Sequence, residues 1–127
     1  MNIKILIGLI TVLLFSCSIG KKNYHNYMVG KYNGITQGSL PNTSTNYVLE
    51  LTDSTFNLKI NGHDYNPECN GKWEIKNHIL VLLCNEENDL GIILSSGYMN
   101  QQKFILNIKD KNTLILNNVV LKRIDNL

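Results

Sequence analysis

Residues 45–60 read "TNYVLELTDSTFNLKI", and apolar side chains recur at every second position on both sides of Asp53-Ser54. This period is typical of β-strands that bury one face. A two-residue turn at Asp53-Ser54 brings six apolar residues opposite one another on a single face. The stretch therefore predicts a β-hairpin with the pairs Leu51 and Phe56, Leu49 and Leu58, and Tyr47 and Ile60.

The same alternation continues along the rest of the chain. It predicts strands near residues 28–34, 71–75, 104–108, 114–116 and 119–124, with residues 90–94 as a further short candidate. The stretch "HILVLLC", residues 78–84, is almost continuously apolar, which predicts a strand covered on both faces. The connections that we expect are short, and they lie at Asp53-Ser54, Lys76-Asn77, 110–112 and Asn117-Asn118.

Short links between successive strands predict an antiparallel meander. Amphipathic strands in a meander bury their apolar face, and lose their open edges, when the sheet closes on itself. The chain has 127 residues, which is the size of one domain. We therefore expect an all-β fold, a small meander β-barrel of seven to eight short strands. Strands this short favour a filled or shallow interior over a deep cup.

The N-terminal segment has a different character. Lys4 is followed by an uncharged apolar run over residues 5–15, about half the ~20 residues that a helix needs to span a bilayer. The run fits the apolar region of a secretory signal, typically ~7–15 residues long. A buried N-terminal helix is the alternative, but the run is apolar on every face.

Leu14-Phe15-Ser16-Cys17 resembles a lipobox, the cleavage motif of bacterial lipoproteins. The resemblance implies that residues 1–16 are a cleaved lipoprotein signal peptide and that Cys17 becomes the lipidated N-terminus. Residues 17–26 then form a flexible tether, and residues 27–127 form the barrel domain. Ser18, rather than Asp, implies a cell-envelope protein in the outer membrane, facing the periplasm. The alternative is an ordinary secretory signal with a free Cys17.

Export to an oxidising compartment predicts a disulfide between Cys69 and Cys84. A turn at Lys76-Asn77 pairs the two cysteines directly, and a turn at Asn77-His78 leaves them diagonal on the same face. The bond is worth about 3 kcal/mol in the chain-entropy description. The alternatives are two free thiols or a metal site, for which His63, Asp64 and Glu68 beside Cys69 are weak candidates.

Catalytic motifs are missing from the sequence. It contains no Gly-x-Ser-x-Gly, phosphate-binding loop or His-Glu-x-x-His, so we expect neither an enzyme nor a cofactor. With 12 basic and 10 acidic residues, the charge balance gives no basis for binding nucleic acid. Trp73 and Tyr98 are candidate binding residues, and Tyr98 lies in a short Ser-rich turn.

The mature chain resembles a group of small barrel lipoproteins. The residues that carry the resemblance are Gly30-x-Tyr32-x-Gly34, Leu40-Pro41, residues 45–60, Gly71-x-Trp73-x-Ile75, Leu80-x-Leu82 and the terminal "VLKRI". They are similar to calycin or lipocalin-like domains, including the N-terminal domain of the NlpE copper-stress family. That family has Cys-x-x-Cys directly after its Leu-Pro. Here the segment reads "LPNTST", so the metal or redox role of that motif is not implied.

Three functions are compatible with these features. The first is a membrane-anchored, non-catalytic envelope lipoprotein whose barrel binds a small apolar ligand or a protein partner. The second is a lipoprotein inhibitor of an envelope hydrolase, of the lysozyme-inhibitor type, which inserts the loop 95–101 into an active site. The third is a metal-handling or stress-sensing lipoprotein that uses the loop containing His63 and Cys69.

Overall fold

The structure, a computed structural model, describes residues 26–124. Eight antiparallel strands follow one another in a meander, and the first pairs with the last to close a barrel. The predicted all-β meander barrel is therefore confirmed. The elements are β1 (Gly30–Thr36), β2 (Thr45–Leu51), β3 (Thr55–Asn61), β4 (Glu68–Lys76), β5 (Ile79–Cys84), α1 (Leu90–Ile93), β6 (Lys103–Asp110), β7 (Thr113–Leu116) and β8 (Val119–Arg123).

Because strands alternate in direction, the connections fall into two sets at opposite ends of the barrel. At the turn end the chain leads into β1, and the links 52–54, 77–78 and 111–112 are tight. At the loop end the links are 37–44, 62–67, 85–102 and 117–118. The long connections are thus gathered on the side away from the start of β1.

The hairpin of residues 45–60 has the predicted register. Leu51 lies opposite Phe56, Leu49 opposite Leu58 and Tyr47 opposite Ile60. The turn is closed by Thr52, whose amide donates to the carbonyl oxygen of Thr55 at 2.9 Å. The alternation and the turn position required the same register, and the chain adopts it.

One continuous apolar cluster occupies the barrel interior. Its members come from all eight strands, and Met28 and Met99 extend it at the two ends of the barrel. This agrees with the expected filled interior. The residues that are at most 2% exposed in this cluster include Tyr32, Leu49, Leu51, Leu58, Leu80, Leu82, Phe104, Leu106, Leu114, Leu116 and Leu121.

The link between β4 and β5 differs from the first prediction. It is formed by Asn77-His78, and both residues have positive φ, at 48° and 66°. Asn and His tolerate this left-handed region better than most residues do. The Lys76-Asn77 turn is therefore wrong, and the alternative that leaves Cys69 and Cys84 diagonal is correct, since Cys84 lies opposite Gly71.

Two further predictions need correction. Residues 90–94 form a helical turn rather than a strand, because the Asp89 carboxylate caps the first turn by accepting from the amide of Gly91 at 2.8 Å. The strand within residues 78–84 is covered only in part on its outer face, since the outward side chain of Val81 is 9% exposed and that of Leu83 is 45% exposed. Within residues 26–124, no helix is long and apolar enough to cross a bilayer.

Arg123 closes the barrel at the turn end. Its guanidinium donates to the carbonyl oxygens of Val29 at 2.7 Å and Lys111 at 2.7 Å, and to the hydroxyl of Tyr32 at 2.8 Å. It also donates to the carbonyl oxygen of Tyr27. The guanidinium carbon lies 5.0 Å from the centre of the Tyr32 ring, within the range of a cation–π contact. One side chain thus joins the approach to β1, the link between β6 and β7, and β8.

Candidate functional site

A cleft of about 250 Å³ opens at the loop end, between the barrel wall and the connection 85–102. Its lining combines carboxylates with apolar and amide side chains. The residues that give it this character are Glu68, Glu86, Glu87, Ile92, Tyr98 and Gln102.

Cys69 lines this cleft and lies at disulfide distance from Cys84, with the Cα atoms 5.7 Å apart. Gly71 lies opposite Cys84, and a Cβ at position 71 would overlap the carbonyl oxygen of Leu83. The backbone of β5 therefore leaves room only for glycine at this position. The cysteine pair fixes the start of the long connection to β4.

Residues 95–101 are held against the barrel. The amide of Asn66 donates to the carbonyl oxygen of Ser96 at 3.1 Å, and the amide of Glu68 donates to that of Gly97 at 3.0 Å. Met99 is only 3% exposed and belongs to the core cluster. Met99 thus anchors the segment to the core, while Ser95, Ser96, Asn100 and Gln101 are exposed, and insertion of this loop into an active site stays a prediction.

The segment that does project from this connection is α1. It buries none of its residues, and Leu90, Ile92 and Leu94 are 71%, 44% and 84% exposed. Three large apolar side chains within five consecutive positions thus face solvent. Leu90 and Leu94 are four positions apart and share one side of the helical turn, whereas Ile92 lines the cleft, and exposed apolar side chains next to a cleft are a candidate binding surface.

The two aromatic residues predicted to bind a ligand have different positions. Tyr98 is half-buried and lines the cleft, where it forms an isolated bridge with Glu68. Trp73 is 5% exposed and belongs to the core, and its indole N–H donates to the carbonyl oxygen of Thr52 at 2.8 Å. Trp73 is therefore a structural residue at the turn end and does not contribute to the cleft.

The metal candidates are not brought together. His63 Nε2 lies 3.9 Å from Asp64 Oδ2, and these side chains are 75% and 92% exposed. Glu68 instead accepts from the side-chain amide of Asn57 at 2.8 Å and lies 3.8 Å from the ammonium of Lys59. Among the described residues, no group of three or more His, Cys, Asp or Glu side chains is placed to hold a metal ion.

The remaining sequence predictions concern the N-terminus. The signal peptide 1–16, Cys17 and all of the tether except Asn26 lie outside the described residues. Lipidation of Cys17 therefore stays a prediction.

Sequence reasoning missed the exposed apolar helix beside an acidic cleft. A usable signal was present, because Asp89 before "LGIIL" is an N-cap residue followed by an apolar run. Comparison with protein-family models, curated proteins and solved structures finds no match to this chain. The site is therefore interpreted from its own geometry.

Proposed function

We propose that this chain is a lipid-anchored, non-catalytic lipoprotein of the bacterial cell envelope that holds a protein partner at its loop end. The observation that carries the proposal is the separation of the two ends. The chain leads into β1 at the turn end, whereas the exposed residues of α1 and the acidic cleft lie at the loop end. An anchor before β1 would leave the loop end accessible.

The filled interior favours a protein partner over a small apolar ligand inside the barrel. The inward side chains of Leu49, Leu58, Leu80, Leu106 and Leu121 are fully buried and belong to one cluster. A lipocalin-type site needs an interior cavity, and these side chains would have to move out of the barrel interior to form one. Recognition at the outer surface requires no such rearrangement.

The charge near α1 indicates the type of partner. Glu86 and Glu87 line the cleft with Glu68, and Asp89 immediately precedes the helix. Acidic groups around an apolar patch favour a partner with an apolar centre and a basic rim, since complementary charge increases the association rate and selects the partner.

The proposed tether suits this arrangement. Residues 17–26 span at most about 3.3–3.6 Å per residue when extended, which keeps the domain within a few nanometres of the membrane. β1 contains 7 residues, and its length at ~3.3 Å per residue separates the two ends of the barrel. The loop end can then face a partner in the periplasm.

Site-specific photocrosslinking in cells tests the partner proposal. A photoreactive residue at Leu94 should give one discrete adduct, and the same residue at Asn112 in the turn end should give none. Glu86→Lys with Glu87→Lys should abolish the Leu94 adduct without changing the melting temperature. Equal adducts at both positions, or none at Leu94, would contradict the proposal.

The anchor is tested separately by intact mass spectrometry of membrane-purified protein. Loss of residues 1–16 together with added acyl mass at Cys17 is the expected result. Cys17→Ser should release the protein from the membrane fraction, and a variant that stays equally membrane-bound would exclude the anchor.

Inhibition of an envelope hydrolase is the second candidate, and the projection of α1 beside the cleft favours it. In this case α1, rather than residues 95–101, would enter the active site of the enzyme. Residues 17–127 should inhibit lysozyme at stoichiometric concentration, and Leu94→Asp should remove the inhibition. Absence of inhibition by the folded domain would exclude lysozyme as its target.

A further inference from the structure

The charges of the barrel are separated along its axis. Residues 26–124 contain nine basic and nine acidic side chains, so their formal charge is zero. Lys72 lies at the middle of β4; of the other charged residues, the turn end has six basic and four acidic, whereas the loop end has two basic and five acidic. The turn-end group consists of Lys31, Lys76, Lys109, Lys111, Lys122 and Arg123 against Glu50, Asp53, Glu74 and Asp110; the loop-end group consists of Lys59 and Lys103 against Asp64, Glu68, Glu86, Glu87 and Asp89.

Three lysines of the turn end are available for an external contact, whereas Arg123 is engaged in closing the barrel. Lys109, Lys111 and Lys122 are exposed, and they flank the link between β6 and β7 or the end of β8. Lys76 is paired with Glu74 at 3.1 Å.

Two exposed apolar side chains accompany these charges. Tyr27, three residues before β1, is 58% exposed, and Ile124, immediately after β8, is 42% exposed. Tyr is favoured at membrane interfaces because its ring is apolar and its hydroxyl is polar. The turn end thus combines basic side chains with an exposed aromatic and an exposed aliphatic side chain.

We propose that the turn end rests on an anionic lipid surface and so orients the barrel with its loop end away from the membrane. This inference rests on the proposed lipid anchor, because the tether joins the barrel at the turn end and keeps that end near the headgroups. Anionic headgroups attract Lys and Arg over about one Debye length, ~10 Å at 0.1 M salt.

The acidic loop end does not cancel this attraction. The 7 residues of β1, at ~3.3 Å each, separate the loop end from the turn end by roughly two Debye lengths, and strand tilt shortens this distance somewhat. The repulsion of its carboxylates from the same membrane is therefore screened. Rotation of the domain on its tether would bring those carboxylates to the surface, so electrostatics favour a single orientation.

The chain offers a built-in probe of orientation. Trp73 is the only tryptophan, and its indole is hydrogen-bonded to Thr52 in a turn-end link. Residues 17–127 would be coupled through Cys17 to a maleimide lipid in vesicles, since Cys69 and Cys84 are bonded to each other. Lipids with spin-labelled headgroups quench tryptophan only at short range, so quenching reports how close the turn end lies to the bilayer.

We expect at least twofold stronger quenching of Trp73 on vesicles of phosphatidylcholine with 30% phosphatidylglycerol than on phosphatidylcholine alone at low salt. The difference should disappear at 0.5 M salt. Equal quenching on the two lipid compositions would overturn the inference. Because the maleimide lipid replaces the biological anchor, this result does not depend on whether Cys17 is lipidated in cells, which the intact mass decides.

β6 supplies a matched pair of variants. Lys103 and Lys109 are both exposed and lie at opposite ends of this strand, the first at the loop end and the second at the turn end. Lys109→Glu should reduce the quenching difference by about half, and Lys103→Glu should leave it unchanged or increase it. An equal loss in the two variants would show a non-specific charge effect and would also overturn the inference. Circular dichroism checks that both variants are folded.

Discussion

The two ends of this barrel differ in how their backbone is fixed. At the turn end, links of two or three residues join the strands, and Arg123 binds carbonyl oxygens from separate segments. At the loop end, the connection 85–102 is held by the Cys69–Cys84 pair and by individual backbone hydrogen bonds, and α1 buries none of its residues. Both ends therefore contribute to stability, and α1 is the part of the loop end whose surface can vary without affecting the core.

The largest expected effect comes from a comparison of two leucines. Leu80 is fully buried in the core, and Leu94 at the loop end is 84% exposed. Leu80→Ala should lower the free energy of unfolding by about 2–5 kcal/mol, because it removes buried methyl groups and leaves a cavity. Leu94→Ala should change it by no more than about 0.5 kcal/mol. Urea denaturation measures both, and a comparable loss in Leu94→Ala would contradict the separation of roles.

The cysteine pair should have the next largest effect. Replacing Cys69 and Cys84 by Ser should lower the free energy of unfolding by about 3 kcal/mol. This is the loss expected in the chain-entropy description when a cross-link between residues 15 positions apart is removed. The loss should be visible as a lower urea midpoint under oxidising conditions. Addition of a reductant should lower the stability of the parent protein and leave the double variant unchanged. A reductant effect on the variant would show that another bond had formed.

At the turn end, Arg123→Met should lower the free energy of unfolding by about 2 kcal/mol, because several carbonyl oxygens and the Tyr32 hydroxyl lose a charged hydrogen-bond donor. Lys122→Met is the matched control on the same strand, and its exposed side chain should contribute within about 0.5 kcal/mol. Thermal unfolding followed by circular dichroism compares the two variants. Equal melting temperatures of the two variants would show that Arg123 does not stabilise the turn end.

The smallest effect is expected at α1. Asp89→Ala removes the N-cap acceptor of Gly91 and should destabilise the helical turn by about 1 kcal/mol. The stability of the whole domain should stay within about 0.5 kcal/mol, because α1 has no buried residues. Hydrogen exchange should accelerate at residues 91–94 and stay unchanged in β4. Accelerated exchange in β4 would show that the loop end is coupled to the core.

The sequence predicted the β2–β3 hairpin in full because two independent constraints agreed. The alternation of Tyr47, Leu49 and Leu51 fixed the buried face, and the short link at Asp53-Ser54 fixed the register. For β4 and β5 the face was equally well determined, but both possible turns kept the cysteines on that face. The preference of Asn77 and His78 for positive φ was the missing criterion.

The candidate site was harder to predict for a physical reason. The cleft depends on where a long connection returns to the barrel, and the hydrogen bonds from Asn66 and Glu68 to residues 96 and 97 determine that position. These contacts join separate segments through backbone atoms, which leave no pattern in the side chains. Local sequence could predict α1 from its cap, but it could not predict that α1 stays uncovered.

The contact between β1 and β8 has a consequence for the order in which the chain can fold. The pairs Tyr32 with Arg123 and Asn33 with Lys122 join the first strand to the last. The sheet therefore stays open until β8 has been synthesised, and contacts of such long sequence separation form slowly. If the domain is exported in the unfolded state, as the proposed function implies, it completes its fold only after β8 has crossed the membrane.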